Sequence, residues 1–203
     1  MIAPYKPKQA SEHVLPYLKF APKWFLDCGP GSGVESLSVL AAYPNIKILA
    51  IEPSPIGYEA ALKLLNPDKY GIVLINAAIW SEDRSDLLLE KPSQLLCSSF
   101  FRNAVGDDPA VRVQGRSLDS LDREYGPFED VLLWMDIEGS EWNALVGARD
   151  LLDRRAIKAI NLEVNGNTEG IIHGVMEGRG FRLVRTYFDH GQGGSKDELW
   201  ELI

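Results

Sequence analysis

Short apolar, β-branched runs alternate along this chain with segments whose apolar side chains recur at helical spacing. "KWFLDC" (23–28), "IKILAIE" (46–52), "GIVLINAAIW" (71–80), "EDVLLWMDIE" (129–138) and "AIKAINLEVN" (156–165) read as buried strands. Between them the spacing predicts a helix over 34–43 stopped by Pro44 and one over 54–66 capped by Ser54. Further helices are predicted over 117–126 (capped by Ser117), over 140–152, and over 168–180, the last broken by glycines. This order predicts a parallel, doubly wound α/β sheet with helices on both faces. Residues 81–116 are less regular and read as an insertion or a side hairpin of "RSDLLLE" and "AVRVQG". "FRLVRTYF" and "ELWELI" are joined by "DHGQGGSKD", too short for a crossover helix, so the last two strands form an antiparallel hairpin. The expectation is one domain over 1–203, its sheet mainly parallel and seven-stranded, with 1–22 as an N-terminal helical extension.

The length of 203 residues suits a single domain with a full core, and 45% hydrophobic with 25% charged residues is ordinary for a globular chain. A formal net charge of −8 argues against nucleic acid, where affinity comes from neutralising phosphates, and against an anionic membrane surface. The two cysteines, Cys28 and Cys97, suggest neither a disulfide framework nor a zinc site, which points to a reducing compartment, the cytoplasm. The first twenty residues lack the apolar core of a signal peptide, and no segment approaches the ~20 apolar residues of a membrane span. The oligomeric state is not readable.

"FLDCGPGSG" (25–33) places a glycine-rich turn directly after the first strand. A dinucleotide fingerprint G-x-G-x-x-G would need a third glycine at position 34, which is Val. The observed G-x-G-x-G, with Asp27 two residues before it, fits S-adenosylmethionine better. Asp27 can take up that ligand's ammonium, and the N–H groups opening the 34–43 helix can meet its carboxylate. The turn by itself leaves both cofactors open, because many glycine turns are only tight turns.

Glu52 ends the second strand about 20 residues past the turn, where an acid accepts both ribose hydroxyls of either cofactor. Asn76, Ala77 and Ala78 lie in the third predicted strand, where small residues leave room for an adenine and Asn76 or a backbone group can contact it. "LLWMDIEGSEWNALVGA" (132–148) carries Asp136 and Glu138 out of a buried strand, and on an extended chain the two point to the same side. A charge complementing a helix N-terminus is the ordinary alternative for Glu138. Glu163 and Asn165 end the fifth strand. With Asp136 they would offer hard oxygen ligands suited to Mg²⁺.

Four pieces in order, "FLDCGPGSGVESL", "AIEPSP", "VQGRSLDSL" and "LLWMDIEGSEWNALVGA", resemble the FkbM family of S-adenosylmethionine-dependent methyltransferases, over about Phe25 to Phe188. The resemblance implies a class I methyltransferase, Rossmann-like fold and methylation of hydroxyl groups on small molecules, including polyketides and sugars. It implies no metal, and none is assigned. The family's first motif usually reads closer to "DIGANxG", where this chain has Pro30 and Gly31. The family often has Lys where this chain has Trp134. The cofactor-binding set is then Asp27, Gly29, Gly31, Gly33, Ser36, Glu52, Asn76, Ala77 and Asp136. Asp136 and Glu138 are the catalytic candidates, and His173 and His190 are further proton acceptors of weaker claim. The expected acceptor is a small-molecule or glycan hydroxyl. An NAD-dependent oxidoreductase and a non-catalytic cofactor-binding protein are the rival readings.

Overall fold

A computed structural model describes residues 10–90, 110–166, 168–187 and 194–203. Seven strands form one sheet: β1 (Trp24–Cys28), β2 (Lys47–Ile51), β3 (Val73–Ile75), β7 (Val131–Met135), β8 (Ile157–Asn165), β9 (Phe181–Tyr187) and β10 (Ser195–Leu202). Their order is β3-β2-β1-β7-β8-β10-β9. The strands from β3 to β8 pair in parallel, and β10 runs antiparallel to both β8 and β9. The seven-stranded, mainly parallel α/β expectation therefore holds, with its reversed C-terminal strand inserted between β8 and β9.

Both faces of this sheet are covered, which is why β1 is buried along its whole length. Leu26 and Cys28 pack with Leu133, Met135, Ile160 and Leu162 in one apolar layer; Phe25 packs with Ile48, Ala50, Leu132 and Trp134 in the other. Helices α5 (Leu118–Tyr125), α6 (Glu141–Val146), α7 (Arg149–Asp153) and α8 (Glu169–Gly178) contribute to the first layer. Helices α1 (Ala10–His13), α2 (Val34–Ala42) and α3 (Pro55–Leu65) contribute to the second. The short helix α4 (Pro67–Tyr70) leads into β3. By the period of two along a strand, Asp27 falls on the α2 side.

Three expectations are corrected. The run 71–80 is two strands, not one: β3 joins the main sheet, while β4 (Ala78–Ile79) pairs with β6 (Val111–Arg116) in a three-stranded sheet with β5 (Arg84–Leu89). The break falls at Asn76, whose amide donates to the carbonyls of Glu52 and Pro53 and ties the chain to the end of β2. The helix expected over 140–152 is also two, α6 and α7. A Cβ on Gly147 would stand 2.2 Å from the Trp80 carbonyl oxygen, so the chain passes closely there. Asp119 then accepts from the amides of Asp150 and Leu151 and caps the new helix start. By contrast, α8 continues through its glycines. Gly170, Gly174 and Gly178 lie four apart on an open stripe while Ile172 and Met176 are buried opposite. Packing outweighs a propensity cost of about 1 kcal/mol per glycine relative to alanine.

Candidate active site

The carboxyl ends of β1, β2 and β7 meet at one place. The Gly29 amide donates to the Ile51 carbonyl at 2.9 Å, and the Asp136 amide donates to the Cys28 carbonyl at 3.0 Å. A Cβ on Gly29 (φ 81°) would lie 2.1 Å from the Asp136 carbonyl oxygen, so only glycine lets the β1 turn pass against the exit of β7. Gly31 and Gly33 also have positive φ, and Gly33 begins α2 without a side-chain cap. The turn thus delivers the amides at the start of α2 to the cleft, where they suit an anion.

Asp27 is fully buried beneath this turn. Ser36 serves it from α2 with its hydroxyl, 2.5 Å from Oδ2, and with its backbone amide. The other oxygen, Oδ1, is buried and has no hydrogen-bond partner. Burial raises the Asp27 carboxyl to about 7, against the Ser36 hydrogen bonds, and the charge of Asp136 adds to the rise. An orphaned buried oxygen of this kind marks a place for a donor, and an ammonium is the donor a carboxylate holds best.

Glu52 leaves β2 and turns back on the glycine loop. Its Oε2 accepts from the Gly31 amide at 3.0 Å and its Oε1 from the Ser54 amide at 2.8 Å. Gly57 in α3 makes room for it, since a Cβ there would stand 2.7 Å from the Glu52 carboxyl carbon. Burial raises Glu52 to about 7, with Asp27 and Asp136 adding repulsion against the two amide bonds. The remaining lone pairs can accept from vicinal hydroxyls.

The Asp136–Glu141 stretch does not continue the strand. β7 ends at Met135, and Glu138 and Gly139 take φ values of 53° and 98°. The extended-chain reason for placing Asp136 and Glu138 on one side is therefore corrected: a left-handed turn, not a pleat, sets their directions. Both are half-buried. Glu141 in the first turn of α6 is the site residue that the sequence reading left out. It is 1% exposed, accepts from the Gly139 amide at 3.3 Å, and burial raises it to about 7, with Glu163 and Asp136 contributing. The hydroxyl of Ser140 beside it is buried without a partner. Electrostatic coupling links Asp27, Glu52, Asp136, Glu141 and Glu163, so the structure brings the predicted Asp27, Glu52 and Asp136 together with Glu163 and adds Glu141.

The remaining candidates lie differently. Ala77 is buried in the apolar core, and Asn76 is exposed and spends its amide on the β2 end. His173 pairs with Glu198 under α8. His190 and Cys97 lie outside the described residues, as does the Asn165 side chain.

The fold is that of the class I methyltransferases, with the reversed strand of its C-terminal hairpin, and here it carries a glycine turn with an acid beneath it and a second acid at the end of β2. The profile of the Methyltransferase FkbM domain matches residues 27–183, and the chain belongs to that family. The solved methyltransferase FkbM of Methylobacillus flagellatus KT is similar in fold, with a TM-score of 0.60, 16% identity and 96% of this chain covered. The present chain spans 48% of that protein's length. The METTL16 MTase domain is similar with a TM-score of 0.51 at 10% identity, covering 95% of this chain and 65% of that one. No curated protein sequence matches the chain. The family and fold imply S-adenosylmethionine as the cofactor. The residues fit it: orphaned Asp27 Oδ1 suits the ammonium, the α2 amides the carboxylate, and Glu52 the ribose hydroxyls. Among the described residues no helix is long and apolar enough to cross a membrane.

Proposed function

We propose that the chain transfers a methyl group to a hydroxyl of a small molecule or glycan, in the cytoplasm. The observation that carries this reading is the turn from Asp136 to Glu141. It leaves the central strand β7 directly against the glycine loop, and its left-handed Glu138 lies at the sheet's carboxyl edge. When bound, S-adenosylmethionine supplies an electrophilic methyl on a sulfonium that departs as a neutral thioether. Asp27 would hold that ligand's ammonium and Glu52 its ribose hydroxyls. Asp136 stands at the reaction centre between their cleft and the acceptor. Glu138 takes the acceptor's hydroxyl proton as the new carbon–oxygen bond forms, leaving an ether and a protonated carboxyl. In-line displacement needs mostly alignment and a dry pocket, which the buried Asp27, Glu52 and Glu141 support.

The test is release of S-adenosylhomocysteine with a panel of sugars and small hydroxyl compounds. Turnover should appear with at least one acceptor, and Glu138→Gln should reduce it about 100-fold while cofactor affinity stays within about twofold. Full turnover by Glu138→Gln removes Glu138 as the base. Cofactor binding without turnover on the whole panel favours a non-catalytic binding protein.

A further inference from the structure

Lys196, Glu198 and Trp200 alternate along β10 and share the face that α8 covers. Beyond Lys196 the face runs into the apolar core, where Trp200 clusters with Leu162, Ile172 and Met176. Glu198 is an exception, a carboxylate with 2% side-chain exposure set into a hydrophobic layer. Its Oε2 accepts from the Trp200 indole N–H at 2.9 Å. His173 of α8 stands over it, with Nε2 at 2.9 Å from Oε2 and 3.1 Å from Oε1, and with its ring edge-on to Trp200 at 5.0 Å. Glu169 lies one helical turn before His173, so both project from the same side of α8. One ligand atom from each of Glu169, His173 and Glu198 lies within 4.8 Å of the other two.

We propose that Glu169, His173 and Glu198 bind a divalent transition metal, zinc being the best chemical match. One imidazole nitrogen and two carboxylate oxygens are a donor set that zinc accepts, at ligand distances of about 2.0–2.2 Å, with a fourth position left for water. Two ligands four apart on a helix and a third on the strand beneath supply them from elements that the core already holds rigid. Trp200 fixes the Glu198 carboxylate from behind, the orienting contact that metal-binding carboxylates usually have. The charges also fit. A buried carboxylate needs a cationic partner, and a divalent ion shared with His173 supplies one to Glu198. Without metal, the Lys196 ammonium holds Glu169 at 3.1 Å from Oε1. Metal takes the carboxylate's other oxygen or displaces this half-exposed lysine. The site sits where α8 follows β8, so the metal clamps α8 onto β10 beside the sheet's carboxyl edge. None of its three ligands is among the coupled acids of the cofactor cleft, and it stands whether or not the acceptor is a hydroxyl.

The experiment is a calorimetric titration of the chelator-stripped full chain with zinc chloride. One zinc per chain with micromolar or tighter affinity is expected. Glu169→Gln and His173→Ala, each checked for native circular dichroism, should weaken it at least tenfold. Either variant that fails to fold is replaced by a wild-type measurement. Among the three histidines, stoichiometric zinc should shift the ring resonances of His173 and leave those of His13 and His190 in place. Absence of saturable binding, equal affinity in the folded variants, or an unmoved His173 ring overturns the proposal.

Discussion

The Glu52 carboxylate accepts the Gly31 amide at 3.0 Å, so the residue that closes the second strand also sets the shape of the glycine turn after the first. A single side chain thereby couples two parts of the cofactor cleft. Glu52→Gln keeps the size and one carbonyl acceptor but loses the charge and two-sided acceptance. The expected result is at least tenfold weaker S-adenosylmethionine binding, about 1.4 kcal/mol, by a variant that still unfolds in one cooperative transition. A calorimetric titration beside a melting curve checks it, and an unchanged affinity would mean that Glu52 does not reach the ligand.

Asp27, Glu52 and Glu141 are each raised to about 7 by burial and by neighbouring acids. In the unfolded chain such groups titrate near 4. Between those values these three groups hold more protons in the folded chain than in the unfolded one, so their contribution to ligand-free stability falls as pH rises from about 4 to about 7. Chemical denaturation should give a more stable protein at pH 5.5 than at pH 8. Asp27→Asn should recover on the order of 1–3 kcal/mol at pH 8 and change little at pH 4. The opposite slope would show that these carboxyls are ionised and satisfied in the folded state.

Glycines in this chain have two opposite roles. Gly29→Ala forces a Cβ to within 2.1 Å of a backbone oxygen at φ 81° and should cost more than about 3 kcal/mol or prevent folding. Gly174→Ala, in the middle of α8 with nothing within 4 Å, should stabilise by about 0.5–1 kcal/mol. Urea melts of the two variants read both effects.

Asp119 caps α7 from α5 through the amides of Asp150 and Leu151. This assigns a structural role to the aspartate of "RSLDSL". Asp119→Ala should lower stability by about 1–2 kcal/mol while cofactor affinity stays as in the wild type. A large loss of affinity without loss of stability would place Asp119 in the cleft instead.

The main sheet was legible because strands covered on both faces read as near-continuous apolar runs, as "WFL" and "VLLWM" do. The same property hid the break at Asn76. "INAAIW" is as apolar as a single strand, and only the partners of β3 and β4 divide it. The α6–α7 break depends on Trp80, far away in sequence, reaching Gly147. Asp27, Glu52 and Asp136 stood out because an acid at the end of an apolar strand breaks its pattern. Glu141 did not, since acids are ordinary in a helix's first turn. Its burial beside Glu163 is a product of tertiary packing.

The most direct test is the binding of S-adenosylmethionine itself at pH 8 to the wild-type chain and to Asp27→Asn. The buried, unpartnered Asp27 Oδ1 is the oxygen assigned to the ligand's ammonium. The expected result is one molecule per wild-type chain and at least tenfold weaker binding by a folded Asp27→Asn. Equal affinity in the two proteins, or no binding by the wild type, would contradict the account.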